Sequence, residues 1–185
     1  MVQTAEKNLG VLQSNIEFQT FDAKKIPYTD RTFDVVIANH MLYHLYDREP
    51  FYLEAARVLR PGGALIVTTN GMRNLDLLSS RDVTAIIYPD GPPSDPIFQY
   101  EKNADWFWLE DAPEEVSQHF SAVTRVAYED RLEVKNIGLL IDYHRSYASL
   151  SPDQEEQLRS FYETKKQAGK VVIPKSLGLV SGLRP

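Results

Sequence analysis

The 185-residue sequence contains no cysteine, only three methionines and two tryptophans, and its 20 Lys and Arg are outnumbered by 26 Asp and Glu. The absence of cysteine excludes disulfides, thiolate metal sites and a cysteine nucleophile. The deficit of positive charge, a net −6 with a pI near 5.2, argues against a broad phosphate-binding surface and so against nucleic acid as a partner. No apolar run approaches the roughly 18 to 20 residues of a membrane span. The opening MVQTAEKNLG is polar and lacks the apolar stretch of a signal peptide. These absences point to a cytoplasmic protein that engages neither membrane nor nucleic acid. Repeats and low-complexity linkers are also lacking, and the length suits one domain over 1–185.

What is present alternates between the two periodicities. Residues 1–9 read as the tail of a helix with Gly10 as its cap. Residues 15–22 place Ile16, Phe18 and Phe21 among polar neighbours, a half-buried strand ending at Asp22. The run Val35-Val36-Ile37-Ala38 inside 33–39 predicts a central parallel strand covered on both faces. Asp47 can cap a helix over 48–60, whose Phe51, Ala55, Val58 and Leu59 form one buried stripe. Pro61-Gly62-Gly63 stops that helix and leads into a second strand, 64–69, also expected to be buried on both faces. This alternation with short connections implies a parallel α/β sheet.

The second half is less regular. Residues 74–88 read as a helix, and 89–96, with four prolines and Gly91, as a loop. Phe98, Tyr100, Trp106, Phe107 and Trp108 form an aromatic cluster along the chain. A short helix at 112–120, a strand at 122–134 and a helix at 136–149 follow. Ser151-Pro152-Asp153-Gln154 combines an N-cap, a proline at the first helical position and a capping-box glutamine. That helix is expected to end at Gly169, before a last strand over 170–181 that Pro174 interrupts.

Three segments in order carry a resemblance. Phe21-Asp22-Ala23 is followed by Ile26-Pro27-Tyr28 and Phe33-Asp34-Val35-Val36; then comes Ala38-Asn39-His40-Met41-Leu42-Tyr43-His44-Leu45; last is Glu54-Ala55-Ala56-Arg57-Val58-Leu59-Arg60-Pro61-Gly62-Gly63. Together, over 15–63, they resemble the middle of class I S-adenosylmethionine-dependent methyltransferases of the small-molecule type. The resemblance implies a Rossmann-like sheet, mostly parallel with an antiparallel last strand, and methyl transfer from S-adenosylmethionine to a small-molecule acceptor. It also implies a glycine-rich loop and an acidic strand end before this point, which nothing in 1–14 matches. The fold is therefore expected to be truncated by about one βαβ unit. The chain would bind cofactor weakly, roughly at millimolar or weaker where a complete site gives micromolar, with transfer impaired or lost, and would expose a sheet edge suited to a homodimer. Its alternative is a non-catalytic remnant acting as an interaction or regulatory subunit.

The same resemblance assigns residues. Asp22 would accept from the adenine amino group and Ala23 would read the ring edge with its backbone. Asn39 and His40 would face the methionine end of the cofactor. Read without the resemblance, Asp22 caps a loop and Asn39 and His40 are polar groups at a strand end. His44 is a candidate general base because imidazole titrates near neutrality, although packing against the helix from 48 explains it as well. His40 and His44 stand four apart without a third ligand nearby, so no metal site is expected. Asp34 is read as holding the turn into the strand, and Arg57 as lying along the helix surface. The stretch 74–115 is expected to cover the acceptor, its aromatics lining a pocket or filling a core.

Overall fold

The computed structural model describes Thr4, residues 16–91 and residues 106–185. The readings at 1–9 (Thr4 apart) with Gly10, at 92–96, and at Phe98 and Tyr100 lie outside these residues. Within them, β1 (Phe33–Asn39), β2 (Leu59–Asn70), β3 (Ser121–Val134), β4 (Lys166–Gln167) and β5 (Lys170–Leu183) form one sheet in the order β1-β2-β5-β3, with the short β4 on β5. β1 and β2 are parallel, and β5 is antiparallel to both β2 and β3. So β1, β2 and β3 point one way and only the last long strand points back, as expected of the mostly parallel sheet with an antiparallel last strand.

Helix α1 (Glu49–Val58) connects β1 to β2. Its stripe Phe51, Ala55 and Val58, with Leu59 beyond, is almost completely buried. Burying each large apolar side chain of this kind contributes about 1.5–3 kcal/mol. Asp47 accepts from the Glu49 N–H at 3.3 Å, one residue before the Arg48 cap position. Leu42, Leu65, Val67, Phe107, Val116 and Phe120 complete this core beneath the sheet, which α3 (Ala112–Ser117) also covers.

A second core lies further along the strands. β3 stays paired with β5 from Leu183 back to Val171, whereas β2 leaves β5 at the pair Asn70–Leu177. The β3–β5 ribbon thus overshoots the carboxyl end of β2. Against it pack α2 (Arg81–Ile87), α4 (Gly138–Arg145) and α5 (Pro152–Thr164), through Val83, Ile87, Ile141, Leu158, Tyr162 and Ile173. Ser151 and Gln154 close both bonds of the predicted capping box. Gln154 then reaches the carbonyls of Ile86 and Ile87 at 2.9 and 3.0 Å, which binds the end of α2 to the start of α5.

Several sequence expectations are corrected. Residues 16–22 form no strand, because a strand needs a ladder and no described strand lies beside them. β1 is not covered on both faces: Val35 and Ile37 are 46% and 64% exposed, since among the described residues β1 has a partner on one side only and its outward face meets no helix. The helix expected over 74–88 is only α2. Residues 71–76 direct their polar groups outward instead, with Gly71 and Leu75 N–H bonded to Ser176 and Pro174 carbonyls and the Asn74 amide oxygen accepting from Ser176 N–H. Those bonds hold this stretch along β5, where it makes separate turns (Asn74 N–H to the Gly71 carbonyl, Leu78 N–H to the Leu75 carbonyl) and no continuous helix. Pro174 does not interrupt β5, because β2 has already ended there and the missing N–H costs no ladder bond. Gly169, with φ of +77°, makes the β4–β5 turn, and the preceding helix ends at Thr164.

Candidate functional site at the carboxyl end of β1

In parallel α/β sheets ligands collect beyond the carboxyl ends of the strands. Here β1 ends at Asn39 beside Thr68 of β2. The Thr68 hydroxyl donates to the Asn39 side-chain amide oxygen Oδ1 at 2.5 Å and accepts from the His40 N–H at 3.1 Å. That bond uses the Asn39 amide oxygen and none of its two N–H donors. His40 has φ of +48°, a left-handed conformation that non-glycine residues adopt at a cost. The chain then turns through a short 3₁₀ segment, Leu42–His44, whose Leu42 is fully buried.

That turn sets an aromatic group over the strand end. The Tyr43 ring lies 4.5 Å from His44 and 6.4 Å from His40, and stacks on Trp106 at 5.0 Å with 10° between planes. Trp106 in turn lies 5.6 Å from Trp108. Burial pushes the Tyr43 phenol above its ordinary pKa. The segment carrying these tryptophans is docked on β2: Thr69 donates to the Phe107 carbonyl at 2.7 Å and Leu109 N–H to the Asn70 carbonyl at 3.0 Å. The aromatic stretch therefore divides. Phe107 is core, packed under the Arg48 guanidinium, while Trp106 and Trp108 are partly exposed above the strand ends.

Asp22 and Ala23 lie in the loop before β1. The Asp22 carboxylate accepts the Lys24 N–H at 2.9 Å, the loop-capping bond the sequence suggested. A carboxylate has about four acceptor sites, so this bond leaves capacity for an amino donor. Ala23 packs against the first core. Downstream, the Ile26 N–H meets the Glu54 side chain and the Arg31 N–H meets the Arg57 carbonyl, so the loop runs alongside α1 with the Asp22–Ala23 turn at its start. Arg57 does not lie idle along the helix: it bonds Glu54, Asp30 and the carbonyls of Tyr28 and Ile26. Asp34, at the start of β1, pairs with Arg60 at 2.6 Å.

The structure thus brings Asn39, His40 and His44 together with Tyr43 and Trp106, and sets Asp22 and Ala23 on a separate, clamped loop. Sequence reasoning missed Thr68, Tyr43 and Glu54. A Glu-x-x-Arg spacing on one helix face was the available signal for the last. Among the described residues no group of three or more His, Asp or Glu side chains is arranged to hold a metal ion, and no helix is long and apolar enough to cross a membrane.

Comparison with known proteins finds similarity in sequence and in fold. Residues 1–67 match the family described as "Methyltransferase domain". The chain is 36% identical over 64 residues to norajmaline N-methyltransferase of Rauvolfia serpentina, covering 35% of this chain and 22% of that protein. It is 46% identical over 54 residues to 27-O-demethylrifamycin SV methyltransferase of Amycolatopsis mediterranei, covering 29% of this chain and 20% of that one. The alignments thus span about a fifth of these relatives' lengths. In fold, a solved Bacillus halodurans protein assigned as a methyltransferase superposes over 100% of this chain and 78% of its own, with a TM-score of 0.61 and 15% identity.

Proposed function

We propose that this chain, a class I methyltransferase in its sequence over residues 1–67 and in its Rossmann-like fold, transfers a methyl group from S-adenosylmethionine to a small-molecule acceptor. The observation that carries the reading is the Asn39–Thr68–His40 arrangement at the carboxyl end of a parallel strand. The donor set fits the cofactor. Asp22 offers carboxylate acceptor sites to an adenine amino group, with the Ala23 backbone beside it. The Asn39 amide offers two donors to a carboxylate at the methionine end, and His40 borders the same place. Bound there, the cofactor supplies an electrophilic methyl group on a sulfonium that leaves as a neutral thioether.

The residues of the chain then have to align and to exclude water, since alignment of reacting atoms is the larger part of such catalysis. Tyr43, Trp106 and Trp108 present ring faces and edges to an acceptor. The second core stands beyond the strand ends and, with 74–115, serves as the cover. His44, exposed and held against Tyr43, is the imidazole placed to take a proton from the acceptor. A net charge of −6 favours a small molecule over nucleic acid. The exposed Val35 and Ile37 on β1, which among the described residues pairs on one side only, support self-association through that edge.

The test is transfer of a labelled methyl group from S-adenosylmethionine to a panel of small amines, phenols and alcohols. Label in an acceptor, lost in Asn39→Ala, supports the reading. A folded chain that binds the cofactor product yet labels no acceptor points to the interaction or regulatory subunit instead.

A further inference from the structure

We infer that Arg57 and Glu54 are a positioning pair that holds the loop before β1 in the shape presenting Asp22 and Ala23 to the cofactor. The inference rests on the cofactor reading above and adds to it two residues of α1 that touch no ligand.

A guanidinium has five N–H donors, and Arg57 uses all of them inside the chain. Its Nε and one Nη2 hydrogen bond the two Glu54 oxygens at 2.7 and 2.8 Å. The other Nη2 hydrogen goes to the Ile26 carbonyl at 2.9 Å, and Nη1 bonds the Tyr28 carbonyl and Asp30 Oδ1 at 2.8 and 2.9 Å. Glu54 closes the circuit by accepting the Ile26 N–H at 2.8 Å. Ile26 is therefore held through both its N–H and its carbonyl by one ion pair on α1.

Other contacts order the loop at its ends and through Tyr28: Ala23 packs on the core, the Arg31 N–H bonds the Arg57 carbonyl, and the Tyr28 ring packs edge-on against Phe21 and Phe33. Residues 23–32 lie in no ladder, Pro27 removes a donor, and of their side chains only Ile26 is buried. Two N–H to carbonyl bonds within the loop, Lys25 to Asp22 and Tyr28 to Ile26, tie the Asp22–Ala23 turn to the clamped segment. Loosening Ile26 frees that turn as well. The saturated donor set also removes Arg57 from the list of ligand-binding groups. A lysine could not replace it, because a compact ammonium with three donors cannot span a carboxylate, a second acid and two carbonyls at once.

The experiment is hydrogen exchange by mass spectrometry on the ligand-free chain, with calorimetric titration of S-adenosylhomocysteine, for wild type, Arg57→Gln and the milder Arg57→Lys. Arg145→Gln, which breaks an exposed pair with Glu155 away from this loop, is the control. Exchange in peptides over 22–31 is expected to quicken about tenfold in both Arg57 variants while β2 and β5 stay protected, and affinity is expected to fall about tenfold with no rescue by lysine. The control should change neither. Unchanged loop protection, or a loosened loop with wild-type affinity, overturns the inference. If wild type itself takes up no S-adenosylhomocysteine, the cofactor reading fails first and the positioning role falls with it. If Arg57→Gln does not fold, Arg57→Lys with wild-type exchange and affinity is the overturning result.

Discussion

The Thr68 hydroxyl stands between Asn39 and the His40 N–H, giving its proton to one and accepting from the other across the β1–β2 ladder. This side chain fixes the Asn39 amide oxygen and shares the His40 N–H with the Thr68 backbone carbonyl, which also accepts it at 3.1 Å. Thr68→Val keeps the branched shape and removes both bonds. The expected cost is about 1 kcal/mol of stability for the lost hydrogen bonds, with a drop in cofactor-product affinity larger than that stability loss alone explains. Calorimetry and denaturant melts on the same samples check it.

Buried His144 predicts a pH dependence. Its ring lies between the phenols of Tyr147 and Tyr162 at 2.5 and 2.7 Å, fully excluded from solvent. Burial lowers its pKa to about 4. The unfolded chain takes up this proton near pH 6.5 and the folded chain does not, so stability is complete above that value and falls as the pH drops toward 4. The loss across this window is about 3 kcal/mol, because each tenfold difference in proton affinity between the folded and unfolded chain is worth roughly 1.4 kcal/mol. The carboxylates Glu54, Glu133 and Glu155, held below their usual range first by hydrogen bonds from Arg57, Lys170 and Arg145, add their own loss only at lower pH. Urea melts at about pH 7.5 and pH 5, on either side of the ordinary histidine value, should separate wild type from His144→Gln, whose stability changes less between the two.

Gln154 does two jobs, and removing it should show both. Gln154→Ala breaks the capping box and the bonds to the end of α2, whereas Ser151→Ala breaks only the cap. Ser151→Ala is expected to cost about 1 kcal/mol, and Gln154→Ala to cost more, with added hydrogen exchange in α2.

The aromatic group gives a prediction on turnover. Trp106→Ala removes the partner stacked on Tyr43 and opens the acceptor side. An increase in acceptor KM of about tenfold, with cofactor-product affinity little changed, is expected if these rings bind acceptor. Equal loss of both, together with a lower melting temperature, would mark Trp106 as core.

Much of this architecture was legible in the residues. The stretch 33–39 and the stripe Phe51, Ala55, Val58 and Leu59 specified β1, α1 and their contact, and Ser151 to Gln154 announced the start of α5. What periodicity does not carry is the identity of a neighbour. Val35 and Ile37 read as buried because an apolar run implies cover, but a run cannot reveal that no described element lies across it. Residues 16–22 alternate like a strand yet lack a described ladder, and 74–80 read as helix while the Leu75 N–H and the Asn74 side chain are taken by β5. The same limit holds at the site. Asp22, Ala23, Asn39 and His40 stand out by motif, but Thr68 and Tyr43 matter only through contacts 28 or more residues away in the chain or across from Trp106.

The most direct test of the account is calorimetric titration of the folded chain with S-adenosylhomocysteine, beside Asp22→Ala. Binding in the roughly millimolar range expected from the sequence is predicted, weakened further in the variant by roughly ten- to a hundredfold, the worth of a hydrogen bond to a charged group. No heat at millimolar ligand from a sample shown to be folded would contradict it, and the chain would then be a methyltransferase in fold without the cofactor site proposed for it.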